Sequence, residues 1–439
     1  MTPIDENKHS ENIFQKLNKR LPYLNWLIFS SALLVLPLIF SSRSAVSTLC
    51  YLGIMSIFVL SYNVLLGQTG LLSLGHGLYM GLGGFFTIYV FNMFLDRGIE
   101  FPLPFIPIFG GVGALIIGVF YSWISAARGG MTFAMITLGL AELTHALSYI
   151  LPSFFGGEEG KSIDRMDMGS FLGYDFGSQT EIYYIIAIWL LISALILYFI
   201  SKTPFGMLTN AVRENSERVE FIGFKPSRIR FSASIVAAFF AGIAGGLSAI
   251  TFEIVSIVDL GATQSTLVLL MTYIGGIQQF FGPILGAVVI GIMKLWLSDV
   301  TSAWQLYFGL LFIFVIMYAP RGLIGIVTDF AKILHTGELS QLFKYWAFVG
   351  SSGMVFALAV GALVEMSYRV GLDKAQGSIL SYMGLSIDVS SIWQWGLVFV
   401  LIILGFIITK KSLSILNNRR HEWQLVANGR LQENEGAEK

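Results

Sequence analysis

Apolar runs of close to twenty residues recur from residue 25 to residue 408, and no other property limits the fold so severely. About 20 residues of α-helix cross the roughly 30 Å of hydrocarbon in a bilayer. In that medium every backbone N–H and C=O needs a partner within the protein, so a spanning chain forms helices or a closed barrel. Continuous apolar runs, rather than short stretches of alternating character, select helices. Only 12% of the residues are charged, against about 25% in soluble domains. The expected class is an all-α polytopic integral membrane protein.

The runs place spans at 25–40, 47–66, 105–124, 131–151, 182–200, 231–250, 262–277, 283–297, 304–318, 346–365 and 392–408. A further one begins in the glycine-rich stretch 67–85 as a broken or closely packed helix and ends near Phe94. The total is about twelve transmembrane helices. The pair at 262–297, separated by Gln278 and Gln279, reads either as two spans or as a re-entrant hairpin. A hairpin of that kind is permitted only where its backbone is buried in protein or lines water.

Charge sets the sidedness. Alternate crossing puts the loops around Lys19, Arg128, Arg213, Lys332 and Lys410 on one side. It puts the acidic loop 152–180, Glu253 and Asp259 on the other. Short Lys/Arg-rich loops stay in the cytoplasm, so both termini are expected there, in a cell (inner or plasma) membrane. The polar residues ahead of the first span, with no small-residue cleavage site after it, do not read as a cleavable signal. The polar stretch 427–439 is expected to be disordered.

Several chemistries have no support. A single cysteine, Cys50, forms no disulfide within the chain, and the five histidines lack ligand spacing. No metal site is expected. With 27 basic and 27 acidic residues, nothing in the charge balance points to nucleic acid. The run GGEEGKS at 156–162 invites a phosphate-loop reading, but the motif's first glycine would fall at Phe155. The expected topology also puts this loop outside, away from ATP. Any ATP used would be hydrolysed by another chain.

Three segments invite a functional reading. Gly70, Gly75, Gly77 and Gly81 share one membrane region with Ser73 and His76. Breaks of this kind expose backbone groups to a polar solute, or else let helices touch backbone to backbone. Glu142 lies inside the 131–151 run with His145 one turn later. An ionisable group there faces the bundle interior or a cavity, as a pathway residue or in a structural hydrogen bond. Lys294, near the end of its run, is expected to snorkel.

The interval 201–231 carries Lys202, Arg213, Arg218, Lys225, Arg228 and Arg230 against Glu214, Glu217 and Glu220. Pro204 opens a helical pattern in which Leu208, Val212, Val219 and Ile222 fall near one face, interrupted by Asn215. Gly223 and Pro226 close it. Such a helix is either a handle for a soluble partner or a solvated connection between two spans.

Together these segments resemble the permease subunit of branched-chain amino acid ABC importers, the LivM-type family. Motifs in the family's order carry the resemblance over roughly 47–326. They are G-L-L-S-L-G-H-G at 70–77 and R-G-x-x-x-x-A-x-x-T-L-G-x-x-E from Arg128 to Glu142. G-G-x-x-G at 156–160 and T-P-F-G-x-x-x-x-A-x-R-E-N at 203–215 follow. G-G-x-x-x-x-x-G-P-x-L-G-A at 275–287 and A-P-R-G-L-I-G at 319–325 complete the series.

The resemblance implies a permease transmembrane domain at 24–327 containing a coupling loop at 201–231. It leaves a cytoplasmic segment at 1–23, an extension with two extra transmembrane helices at 328–410, and a cytoplasmic tail at 411–439. It implies that a cytoplasmic helix seats in an ATPase, with Arg213, Glu214, Glu217 and Gly223 as coupling residues. Glu217 and Gly223 keep the family's E-A-A-x-x-x-G spacing, with Arg218 and Val219 in place of the alanines. Gly70, Ser73, Gly75, His76, Gly77 and Glu142 are the candidates for the translocation path.

The implied partners are a second homologous permease, two cytoplasmic ATP-binding subunits, an extracytoplasmic solute-binding protein and membrane lipid, in a prokaryote. No covalent chemistry and no cofactor are implied for this chain. Urea-type and amide permeases share these motifs. From the residues alone, the rival is an ion-driven secondary transporter using Glu142 and His145 as a proton relay.

Overall fold

A computed structural model describes residues 22–168, 173–301, 303–318, 321–325, 339–371, 379–382 and 385–437. Residues 1–21 of the expected cytoplasmic segment 1–23, and the Lys332 loop, lie outside these residues. Nine of the described helices are long and apolar enough to cross a membrane, and shorter apolar ones cover Trp26–Ile39 and Trp304–Met317. The chain is an all-α multi-pass membrane protein. It divides into two compact units, the first holding the described residues up to 293 together with 321–324.

In the first unit the helices are α1 (Pro22–Ile39), α2 (Arg43–Asn63), α3 (Gly77–Asp96), α4 (Pro107–Ser125), α5 (Met131–Ile150), α6 (Gln179–Lys202), α7 (Pro204–Glu214), α8 (Ser216–Phe221), α9 (Pro226–Phe252) and α10 (Ala262–Gly275). α11 (Gly282–Val300) begins in this unit.

Short capping signals set the boundaries. The Ser42 hydroxyl accepts from the Ala45 amide at the start of α2, and Ser178 accepts from Thr180 at the start of α6. Prolines open α4, α7 and α9, where a missing N–H costs nothing.

α9 is the axis of this unit and packs on α4, α3 and α2. Its buried residues are mostly alanine and glycine, and lipid-embedded helices associate through such small residues because backbones then approach closely. A Cβ on Gly83 of α3 would lie 2.5 Å from the Gly242 Cα of α9. One on Gly110 of α4 would lie 2.8 Å from the carbonyl oxygens of both Gly83 and Gly242. Three helices therefore cross with their backbones in near contact at these glycines.

α10 has only 14 residues, about 21 Å of helix and less than the hydrocarbon thickness. It need not start at the surface. The turn Ile257–Leu260 buries Leu260 completely and packs against Gly81, one turn into α3. The connection after α9 thus returns into the bundle before α10 begins. Aromatic side chains fix the far end: Trp26 of α1 and Tyr198 of α6 cluster with Phe280 and Phe281 just ahead of α11.

The acidic loop after α5 is held by two devices. Lys161 and Ser162 (β1) pair antiparallel with Ile254 and Val255 (β2). The Arg165 guanidinium donates to the carbonyls of Thr251 and Gly177, each at 3.2 Å, and lies 3.5 Å from the Glu253 carboxylate. Glu253 itself terminates α9 with φ 60°, a strained choice for a residue with a Cβ. Arg165→Ala is expected to cost about 2 kcal/mol, since it removes a charge-assisted bond from the carbonyl of the buried Thr251 and a second one from Gly177. A lower melting temperature and faster chymotryptic cleavage after Phe176 would register it.

The second unit contains α12 (Trp304–Tyr318), α13 (Leu339–Gly371) and α14 (Ile392–Ala437). Ala362 and Met366 of α13 form a small core with Val389 and Val398. The Tyr307 hydroxyl donates to the Gly361 carbonyl and to Glu365 at 3.2 and 3.0 Å. An antiparallel pair not anticipated from sequence joins Ile379–Tyr382 (β3) to Leu385–Asp388 (β4). Residues 427–437 continue α14 as helix rather than as a separate disordered tail. Extending an existing helix avoids the nucleation cost that an isolated polar segment faces.

Candidate functional site

The break between α2 and α3 starts where the backbone ladder of α2 widens. Val64–Thr69 is a π-helix, a form found mostly as single turns and frequently at functional sites. Thr69 Oγ1 donates to the Val64 carbonyl at 2.8 Å. Gly70 then turns left-handed at φ 71°, and the Leu71 amide reaches back to the Leu65 carbonyl at 2.9 Å. This closure needs a residue free to adopt positive φ. Gly70 also has no room for a side chain, because a Cβ there would lie 2.7 Å from Cγ of Arg213.

Residues 71–76 then run non-helically through the bundle, and neighbouring helices bond part of their backbone. The Tyr62 hydroxyl donates to the Ser73 carbonyl at 3.0 Å, and the Leu74 amide donates to Thr137 Oγ1 of α5 at 3.2 Å. The Gly77 amide donates to Ser265 Oγ of α10 at 2.8 Å. A Cβ on Gly75 would overlap the Thr137 carbonyl. The segment is therefore wedged between α5 and α10.

His76 is fully buried, stacked on Phe58 and edge-on to Tyr62 and Tyr79. Ser61 Oγ donates its one proton to the Phe58 carbonyl at 2.7 Å, so it accepts from His76 Nε2 at 2.9 Å. That assigns the His76 proton to Nε2 and leaves Nδ1 as an acceptor. His76 Nδ1 and Ser73 Oγ are buried and make no hydrogen bond among the described residues.

Glu142 stands apart. Thr137 and Ala141 on one face of α5 touch the broken segment, whereas the Glu142 side chain is 52% exposed on another. His145 Nδ1 lies 4.0 Å from its carboxylate. Met135, Leu143 and Leu147 are exposed with it, and nothing lies within 4 Å of the position a Cβ on Gly139 would take.

At the end where Gly70 lies, two short helices replace the single helix expected from 204. α7 stops at Glu214, and Asn215 takes an extended conformation with its Oδ1 accepting from the Arg218 amide at 2.9 Å. Asparagine is a strong N-cap, so the residue that interrupts the apolar pattern starts α8. Val212 and Val219 pack with Ile229 of α9, joined by Leu208. Ile222, expected on that face, is 69% exposed instead, because the break at Asn215 re-aims α8.

Glu214 and Glu217 are exposed. Gly223 has φ 96° and nothing within 4 Å, so backbone conformation rather than crowding requires glycine there. Arg213 is different: its Nη1 donates to the Gly67 carbonyl in the π-helix, a short bond. A cleft of about 490 Å³ beside it is lined by Thr69, Gly70, Arg213, Glu217 and Arg230 among others.

The structure thus brings Gly70 to Arg213, and brings Ser73, Gly75, His76 and Gly77 into one packed segment. It leaves Glu142 on an open face of α5. Sequence reasoning missed Phe221, which is 91% exposed, and Phe224, which with Ile222 makes an apolar tip on the charged loop. The signal was available as three large apolar residues flanking a glycine outside any span.

Residues 44–319 match the family described as branched-chain amino acid transport system / permease component. The high-affinity branched-chain amino acid transport system permease protein LivM of Salmonella typhimurium strain LT2 is 27% identical, an alignment covering 70% of this chain and 76% of that one. LivM of Escherichia coli K12 gives the same identity and the same two coverages. No solved structure gives a significant match. The match takes in the broken segment, α5 and the helix pair α7–α8 alike, and the chain belongs to the permease component family of branched-chain amino acid transport systems.

Proposed function

We propose that this chain forms half of the translocation path of an ATP-driven importer of branched-chain or related amino acids, in the inner membrane of a prokaryote. It pairs with a second, homologous permease. Two cytoplasmic ATP-binding subunits drive it, and an extracytoplasmic binding protein delivers the solute. The chain binds no nucleotide of its own. Both termini and the α7–α8 loop face the cytoplasm, in keeping with the Lys/Arg content of that loop.

The observation that carries the reading is the apolar tip. Phe221, Ile222 and Phe224 are exposed together on a loop that is otherwise charged. Large apolar groups held out in this way mark a docking surface. α8, with Glu217 and the Gly223 turn, seats in the ATP-binding subunit, and Glu214 faces the same partner. Purification from native membranes in a mild detergent, followed by mass spectrometry, tests the assembly. A second permease and two ATP-binding chains are expected, and recovery of this chain alone would reject it.

The solute path follows the open face of α5 that carries Glu142, with the segment of Gly70, Ser73, Gly75, His76 and Gly77 packed behind it. A carboxylate in mid-span is costly against lipid, so its half-exposed position calls for water, solute or the second permease. Glu142→Gln is expected to leave the complex intact and to lower uptake at least about tenfold, with partial recovery in Glu142→Asp. Unchanged uptake in Glu142→Gln would remove this residue from the path.

A further inference from the structure

We propose that Arg213 is the latch that passes movement of the cytoplasmic helix pair to the broken segment, rather than a contact to the ATP-binding subunit. The inference rests on the importer reading and assigns a separate role within it.

Arg213 is the basic residue in the last turn of α7. Its aliphatic stem lies on Gly70, where a Cβ would stand 2.7 Å from Cγ and 3.3 Å from Cβ of the arginine. Its Nη1 donates to the Gly67 carbonyl. Carbonyls in a π-helix are poorly matched to the ladder above them, and a charged donor from outside is a strong partner for one. On its other side, Gly67 is closed in by the Ile277 carbonyl, 2.8 Å from where a Cβ would lie. The π-helix is thus gripped between α7 and the turn that follows α10.

From this grip a short, stiff path leads inward. Gly70 ends the π-helix, and within the next seven residues Ser73, Leu74 and Gly77 are tied by Tyr62, Thr137 and Ser265 to α2, α5 and α10. A displacement of α7 therefore pulls on the segment wedged against the Glu142 helix. Small shifts propagate in this way when packed elements have discrete arrangements. The cleft next to Arg213 leaves the helix pair room to move.

The test uses the whole complex. Arg213→Ala and Arg213→Lys are compared with wild type for retained ATP-binding subunits, ATP hydrolysis, and uptake in vesicles. A fourth readout is nucleotide-dependent hydrogen exchange at 67–77. Arg213→Ala is expected to keep its ATP-binding subunits and hydrolyse ATP within about twofold of wild type. Its uptake falls at least about tenfold, and the exchange response at 67–77 is lost. Arg213→Lys, which keeps one donor without the fork, falls between and covers the case in which the alanine variant does not fold.

Loss of the ATP-binding subunits from either variant would make Arg213 a docking residue and overturn the proposal. Wild-type uptake with a wild-type exchange response would overturn it equally. Absence of ATP-binding subunits from the wild-type complex would reject the importer reading itself, and the latch with it.

Discussion

Gly245→Leu is expected to yield no folded, monodisperse protein. A Cβ at this position of α9 would overlap the Met80 carbonyl and stand 2.8 and 2.9 Å from the Met80 carbonyl carbon and the Gly84 amide of α3. These are backbone atoms, so no side-chain rotation makes room. Overpacking usually costs 1–3 kcal/mol, and here the three-helix crossing at Gly83, Gly110 and Gly242 fixes both neighbours. A cost of about 3 kcal/mol or more is expected, a large share of a typical stability. Gly139→Leu is the matched control, since no atom lies within 4 Å of its Cβ position. It is expected to change the melting of the isolated chain by under about 0.5 kcal/mol. Size-exclusion profiles and melting curves of the two variants make the comparison.

The second large effect is functional. Phe221→Asp combined with Ile222→Asp is expected to leave the chain folded and stop its assembly with the ATP-binding subunits. Both side chains are exposed, at 91% and 69%, so the fold loses no packing. An interface anchor typically contributes 2 kcal/mol or more, about 30-fold in affinity for each such residue. Glu217→Lys alone is expected to weaken capture less, because charges at an interface rim contribute less than buried anchors. Normal capture by the double variant would place the docking surface elsewhere.

Where spans lie was legible because apolar runs of helical length have few alternatives in a bilayer. The break at 67–77 was legible too, since seven glycines between 67 and 84 argue against an ordinary helix. What fills the break was not. The Gly67 carbonyl in the π-turn of Val64–Thr69 is met by Arg213, 146 residues away, and no local pattern reports that.

The same distance hid the contact of Arg213 with Gly67; the resemblance implied for Arg213 only a coupling residue toward the ATPase. Asn215 was seen to interrupt the apolar face. Its consequence, a new helix start, followed from a side-chain bond of 2.9 Å that competes with continued helix. α10 could be short only because the chain before it re-enters the bundle at Leu260, a tertiary fact. Phe221 was passed over because single apolar residues outside spans are common and carry no signal, and Ile222 was assigned to the packed face with Leu208, Val212 and Val219. Their meaning came from being exposed side by side.

The most direct test of the account is uptake of labelled leucine into proteoliposomes holding the purified complex, with the binding protein on one side and ATP on the other. Accumulation is expected to require ATP, to be insensitive to collapse of proton and sodium gradients, and to be competed by isoleucine and valine. Uptake by this chain alone, driven by an ion gradient without ATP, would contradict it and return Glu142 and His145 to the role of a proton relay.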